Sequence, residues 1–366
     1  MNSDDRQLAP LAFLWPALAA GSASEFASAM AREFANLVVG PDTQAGGTPP
    51  RWTTRNKVPL ELVAVRLRDF SRGRDGAATL ICAPFALHGA TMVDFAPHHS
   101  LIAALQEAGM QRLFVTDWLS ATSEMRFRSI DDYLCTLNLL VDELGGCVDL
   151  VGLCQGGWMA LIYAARFPAK VRKLVLAGAP IDMAAGTSKV SELAANTPSP
   201  VFNELVGLGE GRVLGRWLLQ WWSPHLDTNE IHALLQSGDA IGSNPFRRLE
   251  TRFRHWYAWT VDLPGTYYLQ VVEQLFKENR LASGNFIALG RRIDLSTLDC
   301  PLYLLAARDD DVAAPAQLFA AEHLLKRANC RVEKATVPCG HLGLFMGRES
   351  LRTAWPEIAR WLQAPA

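Results

Sequence analysis

Residues 148–157, Val-Asp-Leu-Val-Gly-Leu-Cys-Gln-Gly-Gly, constrain this chain more than any other stretch. Val148–Leu153 is short and apolar, which predicts a buried strand, and Trp158–Phe167 has helical spacing. Only Cys154 and small or flexible residues lie between them, so strand must pass to helix through a sharp turn. Gly152 and Gly156, two residues either side of Cys154, leave the backbone room to fold back on itself. A turn of this kind holds its central side chain out at the strand end in a strained conformation, and that side chain is a nucleophile. Here it is a thiol. The plainer alternative is a buried cysteine packing as a small hydrophobe, but motif and strand–turn–helix context agree on the first reading.

The rest of the chain supplies a sheet for that turn to crown. Leu60–Phe70 alternates as an edge strand would, and Thr79–Ala83, Arg112–Thr116 and Val171–Ala177 read as buried strands. Helices are expected at His99–Ala108 and Ile130–Leu144, so strands and helices alternate at intervals suited to right-handed crossovers and a largely parallel sheet. The rhythm stops between about Met183 and Phe286, where tryptophans replace strand patterns. It resumes with Leu302–Ala306, a helix Ala316–Arg327, the strand Arg331–Val337 and a closing helix Leu351–Leu362. This predicts an α/β core formed by residues 51–182 and 287–366, with a mostly helical cap at 183–286. The same reading makes residues 1–50 an expected helical segment and linker.

Leu8–Ala23 is apolar, but Asp4 and Asp5 precede it where an export signal wants positive charge, and it is short for a membrane span. Ser24 can cap a helix with Phe26, Met30, Phe34, Leu37 and Val38 on one face, suited to docking on the core or on an apolar surface. A net charge of −2 gives no reason to expect a nucleic-acid partner. Seven cysteines without a CxxC pair fit a reducing compartment. No metal-ligand spacing and no glycine-rich phosphate loop stand out, so no cofactor is expected.

The chemistry needs a base and an acid for the thiol, and both candidates follow late strands. Asp309, Asp310 and Asp311 come directly after Leu302–Ala306, and His341 directly after Arg331–Val337. Nucleophile, acid and histidine in that chain order, each at a strand end, are the pattern of the α/β-hydrolase fold. The imidazole would take the proton of a thiol whose ordinary pKa is about 8.5, and the carboxylate would fix its tautomer. Asp310 is favoured and Asp309 is second; the others in the run would cap the next helix. The oxyanion would be met by the Gln155 N–H and by that of Ala86 or Phe85 in the turn after Thr79–Ala83.

Several separated segments resemble the intracellular poly(3-hydroxybutyrate) depolymerases and, more distantly, the polyhydroxyalkanoate synthases. They are 83–91 (Ala-Pro-Phe-Ala-Leu-His-Gly-Ala-Thr), Thr116-Asp117-Trp118, 130–133, Ala179-Pro180-Ile181-Asp182 and 340–348 (Gly-His-Leu-Gly-Leu-Phe-Met-Gly-Arg). The likeness spans about residues 60–362. Two features lean toward the synthases: Gly156-Gly157 after Gln155, where depolymerases tend to have proline, and Leu263-Pro264-Gly265 with 290–295.

The resemblance implies a triad of Cys154, Asp310 and His341 acting on hydroxyacyl esters inside the cell. The leading expectation is hydrolysis of a 3-hydroxybutyrate polymer or oligomer through a thioester on Cys154. The alternative is acyl transfer from hydroxyacyl-CoA, and a third is a granule-binding protein without turnover. Partners are therefore a polyhydroxyalkanoate polymer or oligomer, or hydroxyacyl-CoA, in the cytoplasm or at a granule; a homodimer is left open. His88, Trp222 and Trp256 are candidate substrate contacts, with Trp217, Trp221 and Tyr257 as further tunnel candidates. Arg247, Arg248, Arg252 and Arg254 either steer anionic groups or form a solvated helix face.

Overall fold

The computed structural model describes residues 48–222, 226–325 and 330–365, with the side chains of 220–222 left out. The expected helix at 24–38 and the side chain of Trp222 lie outside the described residues.

Eight strands form one sheet: β1 (Lys57–Leu62), β2 (Val65–Asp69), β3 (Thr79–Cys82), β4 (Leu113–Trp118), β5 (Val148–Leu153), β6 (Val171–Ala177), β7 (Leu302–Ala307) and β8 (Val332–Val337). Their order across the sheet is β1-β2-β4-β3-β5-β6-β7-β8. β1 and β2 pair antiparallel, β2 pairs antiparallel with β4, and every later pairing is parallel. Strands β3, β5 and β7 are buried along their whole length. That is why they read as mainly apolar runs, broken in β5 by Asp149: a parallel sheet is covered on both faces.

Successive side chains of these strands feed two separate cores. Leu80, Leu150, Leu174, Leu304 and Trp158 join one cluster, and Ile81, Val151, Val175, Leu305 and Trp355 join the other. Helices α1 (Leu101–Glu107), α2 (Ile130–Glu143) and α3 (Gln155–Arg166) make the crossovers. α1 packs into the second cluster, while α2 and α3 pack into the first. The sheet is thus wound in both directions from β3, and the crevice beyond the carboxyl ends of β3 and β5 is where such a fold places its ligand.

Between β6 and β7 the chain is mainly helical: α4 (Lys189–Asn196), α5 (Ser199–Leu208), α6 (Gly215–Trp222), α7 (Thr228–Leu235), α8 (Asn244–Ala258) and α9 (Gly265–Gln270). α9 runs straight into a π-helical turn, Val271–Lys277. Two short ribbons, Arg212–Val213 with Leu263–Pro264 and Ile287–Ala288 with Arg291–Arg292, interrupt the helices. Capping boxes at Ser188 and Asp227 start α4 and α7. This insertion is tied to the loop after β3, where Thr260 bridges His88 and the Val261 N–H donates to the Leu87 carbonyl at 3.0 Å.

Three expected elements differ in detail. Leu60–Phe70 is a hairpin, not one strand: Leu62 pairs with Val65 across a turn at Val63-Ala64. The expected helix at 316–327 is broken into α10 (Pro315–Phe319) and α11 (Ala321–Leu324), with 326–329 outside the description. After α12 (Gly343–Met346), the closing helix is divided into α13 (Arg348–Arg352) and α14 (Ala354–Gln363) at Thr353. Pro356 explains that last break, because a proline is tolerated only in the first turn of a helix. Among the described residues no helix is long and apolar enough to cross a membrane.

Candidate active site

Cys154 joins β5 to α3 with φ +51° and ψ −121°, a left-handed backbone that non-glycine residues rarely adopt. Its N–H donates to the Ala177 carbonyl at 2.9 Å, and its carbonyl accepts from the Gly157 N–H at 2.9 Å. The strain is held by close packing. A Cβ on Gly156 would stand 2.1 Å from the Cys82 carbonyl oxygen, so the first turn of α3 lies directly against the end of β3. Only glycine fits there, and the contact sets Gln155 beside the loop that follows β3.

The three adjacent aspartates separate cleanly. Asp310 is buried; its Oδ1 accepts from the Val312 and Ala313 N–H groups at 2.9 and 2.8 Å, and its Oδ2 accepts from His341 Nδ1 at 2.8 Å. Asp311 is exposed and pairs with Lys189 Nζ at 2.6 Å. Asp309 is exposed as well. The same carboxylate thus caps the turn leading to α10 and holds the histidine.

His341 sits between β8 and α12, packed edge-on against Phe345 with ring centroids 5.4 Å apart. Burial alone would push its pKa down. The charges of Asp310 and Cys154, and hydrogen bonds to both, more than reverse this and hold the imidazole well above its ordinary range. Cys154, His341 and Asp310 are therefore brought together in that order, from three strand ends.

The loop after β3 is fixed from below and from the side. Phe85 is fully buried in a box of rings, with centroids 4.8 Å from Tyr133, 5.3 Å from Tyr267 and 6.1 Å from Trp118. Ala86 lies half-buried next to it. His88 packs on Trp256 and Tyr257 at 4.5 and 5.1 Å, and its Nδ1 faces the Trp259 carbonyl at 3.4 Å. Burial pushes its pKa down to about 4, so it stands neutral.

Trp256 and Trp217 are almost fully buried, and Trp256 also meets Phe95 and Phe253 at 6.1 and 5.7 Å. His88 and Trp256 thus form a contact between the β3 loop and α8. Two of the four α8 arginines have structural partners: Arg252 donates to the Arg51 carbonyl and Thr53 Oγ1, and Arg254 to Glu250 and the Leu226 carbonyl.

Tyr267, on α9, was not singled out by the sequence. It completes the ring box, 4.9 Å from Tyr133 and 6.3 Å from Trp158. The signal that points to it is Leu263-Pro264-Gly265. A Cβ on Gly265 would stand 2.5 Å from the Gly211 carbonyl oxygen, and that close approach starts the helix carrying Tyr267.

With this geometry in place, comparison with known proteins is specific. Residues 232–365 match a family model described as PHB de-polymerase C-terminus. The poly(3-hydroxyalkanoate) polymerase subunit PhaC of Synechocystis sp. is 30% identical over 291 residues, 74% of each chain. The protein of the same name from Allochromatium vinosum is 26% identical over 281 residues, 74% of this chain and 76% of its own. Among solved structures, a Paleococcus ferrophilus monoacylglycerol lipase superposes with a TM-score of 0.52 at 17% identity, covering 81% of this chain and 98% of its own. That likeness and the sheet order make the architecture an α/β-hydrolase fold.

Proposed function

Because this chain belongs to the poly(3-hydroxyalkanoate) polymerase PhaC family, we propose that it is an acyltransferase that loads 3-hydroxyacyl groups from a CoA thioester onto Cys154. The acyl group then passes to the hydroxyl end of a polyhydroxyalkanoate chain. The observation that carries this reading is the 30% identity, over three quarters of both chains, to a protein named as a polymerase subunit. It reverses the order in which the sequence motifs alone placed hydrolysis and transfer.

Each residue takes one role. Cys154 Sγ attacks the thioester carbonyl as a thiolate whose proton rests on His341, and Asp310 stabilises that imidazolium. The oxyanion is met by the Gln155 N–H and a second N–H from Phe85 or Ala86. Collapse expels the CoA thiolate, which takes the proton from His341. A chain-end hydroxyl next gives its proton to His341 and attacks the Cys154 thioester, and the thiolate leaves with the ester one unit longer. A thiol suits this sequence because exchanging one thioester for another keeps the acyl group activated for ester formation. Residues 183–286 serve as the cap that admits the hydroxyl acceptor to the core formed by 51–182 and 287–366.

The match to a depolymerase family model over 232–365 favours a second reading, in which water replaces the chain-end hydroxyl. One experiment separates the two. The purified chain is incubated with 3-hydroxybutyryl-CoA and, separately, with amorphous poly(3-hydroxybutyrate) granules. Transfer predicts free CoA, at least one equivalent per Cys154, with the acyl group on the protein or in polymer. Soluble hydroxyacid from the granules and no CoA release would replace transfer with hydrolysis.

A further inference from the structure

Strand β3 leaves the sheet before its neighbour does. Its pairing with β4 ends at Ile81 opposite Val115, whereas β4 runs on to Trp118, paired there with β2. Ala83, the residue that follows β3, is wholly buried, so its N–H and carbonyl both need partners. Two side chains of β4 supply them. Thr116 Oγ1 accepts from the Ala83 N–H at 3.0 Å, and Trp118 Nε1 donates to the Ala83 carbonyl at 2.9 Å. Thr116 and Trp118 are themselves buried, so water does not compete for either bond.

The residue held in this way is where the loop after β3 meets the first turn of α3. A Cβ on Gly156 would stand 2.9 Å from the Ala83 carbonyl oxygen, besides its 2.1 Å approach to that of Cys82. Gly156 directly follows Gln155, whose N–H is the first of the two oxyanion donors. On the loop side Pro84 has no N–H, so the first one after Ala83 belongs to Phe85 and the next to Ala86. Two residues span at most about 7 Å, so a shift of Ala83 is passed on to the second donor with little chain to absorb it. The Trp118 ring also packs on Phe85, with centroids 6.1 Å apart.

We propose that Thr116 and Trp118 are positioning residues for the oxyanion hole. By holding both polar groups of Ala83, they set the second donor against the Gln155 N–H. This role rests on the oxyanion donors assigned above, and is the same whether a chain-end hydroxyl or water accepts the acyl group. Oxyanion donors act only when aimed at the place where charge develops, and a misplacement of about 1 Å can cost about 100-fold in rate.

The test compares two reactions of Cys154 in the wild type, Thr116→Val, Thr116→Ser and Trp118→Phe. CoA release from 3-hydroxybutyryl-CoA passes through an oxyanion. Alkylation of the thiol by iodoacetamide, followed by mass spectrometry of the peptide carrying Cys154, does not. Thr116→Val keeps the side-chain shape without the acceptor, and Trp118→Phe removes the donor. Each is expected to lower kcat/KM for CoA release by about 10- to 100-fold, chiefly through kcat, with alkylation within about twofold of the wild type. Thr116→Ser keeps the hydroxyl and should return kcat to within about threefold of the wild type. If Thr116→Val does not fold, Trp118→Phe is judged alone by the same figures. Wild-type CoA release in Thr116→Val or Trp118→Phe, no recovery in Thr116→Ser, or a change in alkylation as large as that in CoA release overturns the proposal. If the wild type releases no CoA, the transfer reading fails on its own. The same comparison is then made with hydrolysis of 4-nitrophenyl 3-hydroxybutyrate, which also passes through an oxyanion. Turnover of neither substrate overturns the proposal as well.

Discussion

Asp310 and His341 stand 31 positions apart in the chain, yet the Oδ2 of one accepts from the Nδ1 of the other at 2.8 Å. Its neighbours on either side face solvent, one of them against Lys189. Asp310→Asn is therefore expected to reduce kcat/KM for CoA release by about 10²- to 10⁴-fold, since the amide can hold the imidazole but not stabilise its charge. Asp309→Asn and Asp311→Asn should stay within about threefold of the wild type, as surface changes do. A larger loss at Asp309 or Asp311 than at Asp310 would refute this assignment of the acid.

The turn at Cys154 depends on Gly156, where an added Cβ would meet the backbone oxygen of Cys82 at 2.1 Å. A backbone atom of a buried central strand cannot step aside as a side chain would. Gly156→Ala should cost about 2–3 kcal/mol or more in urea denaturation, by overpacking, and should abolish acylation of Cys154. Full stability and activity in that variant would mean that the turn can relax.

Two histidines should give stability opposite dependences on pH. His88 is depressed to about 4 by burial, against an ordinary 6.5. Below about pH 6.5 the unfolded chain binds the proton that folded His88 refuses, so stability falls as pH drops toward 4. His341 is raised, despite burial, by Asp310 and Cys154. Its contribution is fully present below 6.5 and is lost as pH rises through the elevated folded value. Urea midpoints measured across pH should show His88→Phe flattening the acid limb and His341→Gln flattening the alkaline limb. Variant curves parallel to the wild type would refute both assignments.

Asp94 anchors the segment that enters the fold. It is wholly buried and accepts from the Thr53 and Thr54 N–H groups at 2.8 and 2.7 Å, from Thr54 Oγ1 at 2.8 Å and from Ser100 Oγ at 2.6 Å. Hydrogen bonds to a charged acceptor contribute about 1.5–3 kcal/mol each, and their sum is not additive. Asp94→Ala should therefore lower stability in urea by about 2–4 kcal/mol and expose residues 50–56 to protease, while Asp94→Asn should lose less. Protection of 50–56 in the alanine variant would show that other contacts hold the segment.

The sequence carried the sheet well because strands buried on both faces must be mostly apolar, and β3, β5, β6 and β7 were each visible as such runs despite Asp149 in β5 and Arg172 and Lys173 in β6. The hairpin β1–β2 was not. Its turn at Val63-Ala64 contains no glycine, proline or asparagine, and the alternation runs straight across it. Order along the chain pointed to Cys154 and His341 and favoured Asp310, but only the fold separates the three consecutive aspartates, by burying that one. The burial of Trp217 and Trp256 in the two cores is likewise set by tertiary packing and not by composition. Tyr267 escaped notice because what singles it out is its place in the ring box with Phe85, Tyr133 and Trp158, a property of several segments meeting and of none separately.

The thiol itself gives the sharpest distinction between transfer and hydrolysis. Cys154→Ser keeps the shape of the turn and offers a hydroxyl to His341. The hydroxyl is far less acidic than a thiol, so loading depends wholly on the general base and should slow by about 10²-fold or more. What loads becomes an oxygen ester, less electrophilic than a thioester toward a chain-end hydroxyl. The serine variant should therefore release at most one equivalent of CoA from 3-hydroxybutyryl-CoA and then stall, with the acyl group detectable on residue 154 by mass spectrometry. The wild type should continue past one equivalent when a 3-hydroxybutyrate oligomer is supplied as acceptor. Continued turnover by the serine variant at the wild-type rate would mean that the activated thioester is not required, and the transfer mechanism would lose its physical basis.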